Sequence, residues 1–221
     1  MTTSMTTSMT KRISSPGTSA TSSPATSPSA SPISSPLPLI GIAAFSGTGK
    51  TTLLKQVLPL LQQRGVRVGV IKHAHHRFDI DTPGKDSYEL RHAGAGQMLI
   101  GSRNRWALMT ETPEEQQDPD LNYLIRQLDP SRLDLILVEG FKHLPFPKIE
   151  LHRPSTGNQL LFPNDPHIVA IAHDETLPVA TQLPQLDINS PIAVANFIVS
   201  YCQPGNVVNI NMSSGKRNYA S

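Results

Sequence analysis

Leu39-Ile-Gly-Ile-Ala-Ala-Phe-Ser-Gly-Thr-Gly-Lys-Thr-Thr-Leu-Leu54 is the stretch on which the reading of this chain turns. Its first part, Leu39 to Phe45, is a continuous apolar run, which fits a strand covered on both faces, as in a parallel sheet. From Lys50 to Arg64 apolar residues recur at Leu53, Leu54, Val57, Leu58 and Leu61, the spacing of one helical face. Pro59 lies inside that helix and is expected to kink or shorten it, and Gly65 is a natural stop. Between strand and helix stands a phosphate-loop pattern: a glycine, four residues, then Gly-Lys-Ser/Thr. Ala44 takes the place of the leading glycine, and Gly49-Lys50-Thr51 fits the rest.

The chemistry of that pattern is specific. A polyphosphate offers many acceptor oxygens. Small residues let the backbone wrap close, so that N–H groups point inward, and the following helix adds the partial positive charge of its N-terminus. Ser46, Gly47, Thr48, Gly49, Lys50, Thr51 and Thr52 are therefore the expected nucleotide contacts. Lys50 brings a cation to the β- and γ-phosphates, as the residue closest to catalysis, and Thr51 brings a hydroxyl to Mg²⁺. Ala44 is tolerable if its φ stays negative.

Working outward, Val66 to Lys72 is a second strand, so the first part is a βαβ unit with a right-handed crossover. A short helix over 87–95 is expected next. Met98 to Ser102 and Trp106 to Thr110 are expected as a hairpin around Arg103-Asn104. Further elements are a helix from Pro119 to Leu128, a buried strand from Leu133 to Val138, and strands Lys148–His152 and Ile168–His173. The last helix is capped by Asn189 or Ser190, has Pro191 in its first turn and ends near Tyr201. This alternation predicts an α/β domain of three layers around a mostly parallel sheet.

Glu139 closes the run Leu135-Ile-Leu-Val138. If that strand neighbours the first, Glu139 faces the phosphate loop and can hold Mg²⁺, directly or through water. The alternative is a surface carboxylate in a turn before Phe141-Lys142-His143. Asp134, at the other end of the strand, is expected to be structural. Lys72-His-Ala-His-His-Arg-Phe-Asp-Ile-Asp81 carries three histidines and two aspartates. Without cysteine partners a zinc site is the weaker reading. In the stronger one Lys72 and His73 touch phosphate, and Asp79 or Asp81 orders Mg²⁺ or the attacking water. Asp81 to Ser87 then forms a turn that moves when the γ-phosphate leaves. A solvated loop, with Asp86 or Ser87 capping the next helix, stands beside that reading.

Composition limits the rest. The chain has 221 residues, a formal net charge of +2 and one cysteine, Cys202. No basic stripe marks a nucleic-acid surface, no apolar run reaches the roughly 18–20 residues of a membrane helix, and no internal disulfide is available. A reducing, cytoplasmic setting is the simplest. Residues 1–38 are almost all Ser, Thr, Pro, Ala and Met, with too little apolar surface to fold. They are expected as a disordered extension rather than a targeting peptide. Residues 203–221 are expected as a second tail, which leaves 39–202 as the folded domain.

Several segments together resemble one family, the molybdopterin-guanine dinucleotide biosynthesis adapter proteins (MobB). They are FSGTGKTTLLKQVLPLLQQRGVRVGVIKHAHH (45–76), DIDTPGKDSYELRHAGA (79–95), RWALMTETPEE (105–115) and LDLILVEGFKH (133–143). The phosphate loop is common to many families, and the other segments make the likeness specific. The resemblance implies a phosphate-loop NTPase fold, GTP binding, at most slow GTPase activity and a homodimer joined through the sheets. It also implies a partner, the guanylyltransferase that joins GMP to molybdopterin, with molybdopterin as a further candidate ligand. Carried over, Gly47, Gly49, Lys50 and Thr51 bind phosphate and Mg²⁺, and Glu139 is the acidic second site. No Asn-Lys-x-Asp motif is present; Asp174, after the Ile168–His173 strand, lies where a base-reading carboxylate would. Two further readings stand beside the adapter: a small-molecule kinase with Asp81 as base, and a pterin carrier switched by nucleotide.

Overall fold

The computed structural model describes residues 32–74, 78–112 and 118–203. The expected disorder of residues 1–31 and of the C-terminal tail falls outside them. Its centre is a sheet of six strands in the order β2-β5-β1-β6-β7-β8, every neighbouring pair parallel. The strands are β1 (Leu39–Ala43), β2 (Val68–Lys72), β5 (Leu135–Glu139), β6 (Lys148–His152), β7 (Ile168–His173) and β8 (Gln185–Asp187). β1, β5 and β6 are buried at every position; β1 and most of β5 are accordingly apolar without alternation, whereas β6 buries the polar Lys148, Glu150 and His152 between Ile149 and Leu151. β8 has only three residues and was too short to stand out in the sequence.

Two helices cover one face. α1 (Lys50–Gln63) and α4 (Pro191–Tyr201) enclose Ile40, Ile42, Leu137, Ile149 and Ala170 between themselves and the sheet. α4 starts as expected: Ser190 Oγ accepts from the Ala193 amide at 3.3 Å, and Pro191 sits in its first turn. α3 (Leu121–Arg126) lies on the opposite face, with Leu121 and Ile125 packed against Ile71, Ile136 and Val138. The three layers expected from the sequence are therefore present. A separate antiparallel hairpin, β3 (Gln97–Gly101) with β4 (Trp106–Thr110), follows the short α2 (Asp86–His92).

Two local expectations need correction. Pro59 does not shorten α1, which runs unbroken through it. An interior proline costs about 3 kcal/mol. Burying Leu53, Leu54, Val57 and Leu61 stabilises the helix by about 1.5–3 kcal/mol for each side chain, which outweighs that cost. Pro59 is also exposed, on a side where water can satisfy the carbonyl left without a donor. The folded body also begins before Leu39. Ile33 is buried against α3, the Ser34 amide donates to Asn122 Oδ1 at 2.8 Å, and Asn122 Nδ2 donates to the Pro32 carbonyl. A single isoleucine among prolines and serines was too sparse a signal to reveal this.

Both charged ends of the sheet's amino edge are held by pairs. Asp134 is structural, as expected: its carboxylate takes the Arg67 guanidinium at 2.7 Å, which holds it down to about 2. Lys148, only 1 % exposed, donates to the Leu144 carbonyl at 2.6 Å and meets Asp165 Oδ2 at 2.8 Å. Burial pushes the Lys148 ammonium down, and Asp165 works against that shift. For Asp165, burial acts upward, but Lys148 and the His167 amide outweigh it and hold the carboxyl below its ordinary value.

A buried pair broken from one side leaves an uncompensated charge, whereas replacing the ammonium by an apolar chain of similar size removes the desolvation cost too. Asp165→Asn is therefore expected to cost about 3 kcal/mol, and Lys148→Met clearly less, in urea unfolding. Because the folded carboxyl lies below its unfolded value of about 4, the contribution of Asp165 is complete above that pH and fades as pH falls toward the folded value. The Asn variant should accordingly show a shallower acid limb.

Candidate functional site

All six strands point the same way, so the residues that end them gather on one edge. β1 lies between β5 and β6, and Ile42 is in register with Glu139. Glu139 is in turn in register with Lys72. The neighbour relation on which the role of Glu139 depended is thus present.

The loop after β1 is shaped by two glycines. Gly47 and Gly49 have φ of 81° and 98°, and a β-carbon at either position would meet nothing within 4 Å. The requirement is conformational, since left-handed backbone disfavours any side chain. Ala44 has no such requirement: Phe141 is the one non-glycine with positive φ among the described residues, so a methyl group is admissible at Ala44. Thr48 is buried and its hydroxyl donates to the Phe45 carbonyl at 3.0 Å. Lys50 Nζ folds over the loop and donates to the carbonyls of Ala44 and Phe45 at 3.1 and 2.8 Å.

Where the amides of this loop go is the decisive question. Among the described residues, no bond of good geometry occupies the backbone N–H groups from Ser46 to Thr52, although the Ser46-Gly47 turn brings the Thr48 amide toward the Phe45 carbonyl; the first amide of the stretch with a firm partner is Leu53, bonded to the Gly49 carbonyl at 2.9 Å. Amides without firm partners at a helix N-terminus suit an anion.

Its surroundings are cationic. Burial pushes the Lys50 ammonium down from its ordinary value; Glu139 works against that shift, while Lys142 and Lys72 add to it. Three ammonium groups thus act around one carboxylate. Lys72 Nζ lies 3.4 Å from Glu139, a loose contact.

Lys142 was not anticipated. It is placed by an unusual turn: Gly140 has φ 97° and Phe141 φ 50°, a conformation costing of order 1–3 kcal/mol for a non-glycine. His73 grips this turn. Its amide donates to the Glu139 carbonyl at 2.8 Å, and its ring stacks on Phe141 with centroids 4.6 Å apart. A β-carbon on Gly140 would come within 2.6 Å of the His73 β-carbon. The turn sets Lys142 Nζ 4.4 Å from the centre of the Phe45 ring, against the phosphate loop.

His73 therefore serves packing: it is buried, and its Nε2 meets Asp118 Oδ1 at 3.0 Å. Asp81 is also taken up elsewhere. Arg91 binds it at 2.7 Å together with Asp79 at 2.6 Å and Glu111 at 2.7 Å, and the Arg91 bond to Asp81 holds the Asp81 carboxyl below its ordinary value. Among the described residues Asp81 has no contact with the phosphate loop. Nor do Asp86 or Ser87 cap α2: the helix starts from Lys85, and the Gly84 amide donates to Glu89 Oε1.

Arg153, directly after β6, is a second residue that sequence reasoning missed. Its Nε donates to the Thr48 carbonyl at 3.3 Å, one terminal nitrogen pairs with Asp174, and the other donates to Asn189 Oδ1 at 2.8 Å. The signal was available: once the strands are taken as parallel, the residue after each of them faces the phosphate loop's edge.

The donor set suits Mg²⁺ better than zinc. The two residues expected at a metal, Glu139 and Thr51, offer one carboxylate and one hydroxyl, sparse enough for an ion that keeps waters and takes phosphate oxygens. Among the described residues no group of three or more His, Cys, Asp or Glu could hold a metal. His75 and His76 lie outside those residues. Among the described residues, too, no helix is long and apolar enough to cross a membrane.

Comparison with known proteins agrees with this arrangement. Residues 39–174 match the family model of molybdopterin guanine dinucleotide synthesis protein B (MobB). A molybdopterin-guanine dinucleotide biosynthesis adapter protein of Escherichia coli (strain K12) is 51 % identical over 173 residues, which span 77 % of this chain and 96 % of that protein. Its counterpart from Haemophilus influenzae is 44 % identical, over 75 % of this chain and 89 % of its own. A crystal structure of molybdopterin-guanine biosynthesis protein B superposes with a TM-score of 0.56 at 25 % identity, covering 73 % of this chain and 98 % of the other. The specific segments after β2 and at β5, the phosphate loop and these likenesses lead to one conclusion: the chain belongs to the MobB family.

Proposed function

We propose that this protein is a GTP-binding adapter in molybdopterin-guanine dinucleotide biosynthesis, which assists the guanylyltransferase that attaches GMP to molybdopterin. The observation that carries the nucleotide reading is the run of amides from Ser46 to Thr52 that lack a bond of good geometry, seated between a buried strand and the start of α1. The adapter reading draws on the likeness to relatives named for that role.

In this reading Gly47, Thr48 and Gly49 wrap the β-phosphate through their amides. Lys50 leaves the loop carbonyls for the β- and γ-oxygens, which offer it stronger, charge-assisted bonds. Lys142 approaches the terminal phosphate from the strained turn. Mg²⁺, held by Thr51 and Glu139, neutralises phosphate charge. Turnover is slow, because the machinery for activating water is thin: Asp81 is bound to Arg91, and Arg153 is committed to Thr48, Asp174 and Asn189. The same engagement of Asp81 weighs against a kinase that would use it as base.

The hairpin supports a homodimer. Leu99, Ile100, Trp106 and Leu108 are exposed on β3 and β4, and a two-stranded ribbon is marginal alone. A cytoplasmic location suits the single Cys202, whose thiol burial pushes up to about 11.

In calorimetric titration with Mg²⁺, Lys50→Ala should abolish GTP binding, while Lys142→Ala should weaken it by about two- to fivefold, the scale of one partly exposed charge contact. Unchanged affinity in the first variant would defeat the nucleotide reading. The guanylyltransferase should co-purify with the full chain, and failure to do so at micromolar concentrations would remove the adapter role. In sedimentation, Trp106→Asp should convert a dimer to a monomer; a wild type that sediments as a monomer would refute the dimer.

A further inference from the structure

The carboxyl ends of β7 and β8 carry an open cleft of about 820 Å³, and Asp174, whose place in the sequence suits a base-reading carboxylate, lies in its wall. Its polar lining includes Asp174 and Asn189 beside Glu175, Gln185 and Asp187, and Leu177 and Leu186 add apolar surface. We propose that this cleft reads a 2-amino-4-oxopyrimidine edge, that of the guanine of a nucleotide held in the phosphate loop, and that Asp174 is the reading group. The proposal rests on the nucleotide reading of that loop.

Three observations lead to it. The first is continuity. One guanidinium, that of Arg153, touches the Thr48 carbonyl in the loop and both Asp174 and Asn189 in the cleft wall. Phosphate loop and cleft are therefore two ends of one surface. The second is span. β7 lies two strands from β1 in the sheet, roughly 10 Å at about 4.8 Å per strand, which is the reach of a nucleotide from phosphate to base. Ligands of open parallel sheets lie beyond the carboxyl ends of the strands in this way.

The third is chemistry. An ionised carboxylate only accepts hydrogen bonds. Guanine presents two adjacent donors, its N1–H and its 2-amino group, and a carboxylate can take both. Adenine presents an acceptor, N1, at the corresponding place, and repels it. Asp174 is only partly exposed, with 19 % of its side-chain surface open. Arg153 holds one of its oxygens, Oδ2; among the described residues no donor engages Oδ1. The Arg153 bond fixes the carboxylate's orientation, and the His173 ring steadies the loop that carries it through the Glu175 carbonyl at 2.7 Å and Gln185 Oε1 at 3.1 Å. Pterins share the same amino-oxo edge, so the chemistry has a second source in a pathway that handles a pterin.

Asp174→Asn separates these possibilities. The amide keeps the shape and an acceptor for Arg153, and it replaces the other oxygen by a donor. Xanthine carries an oxygen where guanine has its amino group, so the variant should turn from GTP toward XTP. We expect GTP affinity to fall and XTP affinity to rise, each by about tenfold or more, the scale of one mismatched hydrogen bond. A gain for XTP cannot arise from misfolding. Neopterin, titrated in the same way, gives the second arm. If the substitution weakens neopterin and leaves both nucleotides unchanged, the cleft reads the pterin. If GTP, XTP and neopterin all bind as they do to the wild type, the proposal is overturned. Failure of the loop reading itself would appear separately, as GTP binding that survives Lys50→Ala.

Discussion

A polypeptide rarely leaves successive backbone donors without partners, because each costs free energy when it is neither bonded nor hydrated. The stretch from Ser46 to Thr52 instead sets a row of donors, mostly on exposed residues, at the carboxyl edge of a parallel sheet, and the rest of the site follows from that arrangement. The two glycines permit the left-handed turns that aim the amides inward. Thr48, buried, pins the loop to its own carbonyl. Lys142 and Lys72 join Lys50 in bringing positive charge to it, and Glu139 opposes them. An anion rich in acceptors is the ligand that such a hollow favours.

The parallel sheet makes this concentration possible. In a sheet whose strands all run one way, every carboxyl end lies on the same edge, and Lys72, Glu139, Arg153, Asp174 and Asn189 are delivered there. The amino edge does a different job. There Arg67 with Asp134, and Lys148 with Asp165, hold strand starts in place. The division also explains the strained turn at Gly140 and Phe141. A relaxed turn would direct Lys142 differently, and the ring of His73 together with the buried side chain of Phe141 supplies the packing that offsets the strain.

Much of this was legible in the sequence, for definite reasons. Buried parallel strands tend to be apolar without interruption, so β1, β5 and β7 stood out, and the Ser-Pro start of α4 marked its own cap. The phosphate loop was readable because its function constrains backbone conformation, which restricts residue type. What escaped was set by tertiary partners. His73 and Asp81 have residue types fit for chemistry, and only the fold shows that Phe141, Asp118 and Arg91 occupy them. Pro59 breaks a propensity rule that four buried side chains override. Arg153 and Lys142 lie outside any spacing pattern; their place depends on which strands are neighbours. The serine- and proline-rich segment hid Ile33, because one apolar side chain has no period.

The central claim concerns individual amides, so the most direct measurement observes them one at a time. In ¹⁵N–¹H spectra of the labelled protein, adding GTP with Mg²⁺ should move the Gly47, Gly49, Lys50 and Thr51 amide signals strongly and protect them from hydrogen exchange, with little change at the sheet's amino edge. Signals from Ser46 to Thr52 that stay in place while the nucleotide is bound, or that are already protected without it, would contradict the account.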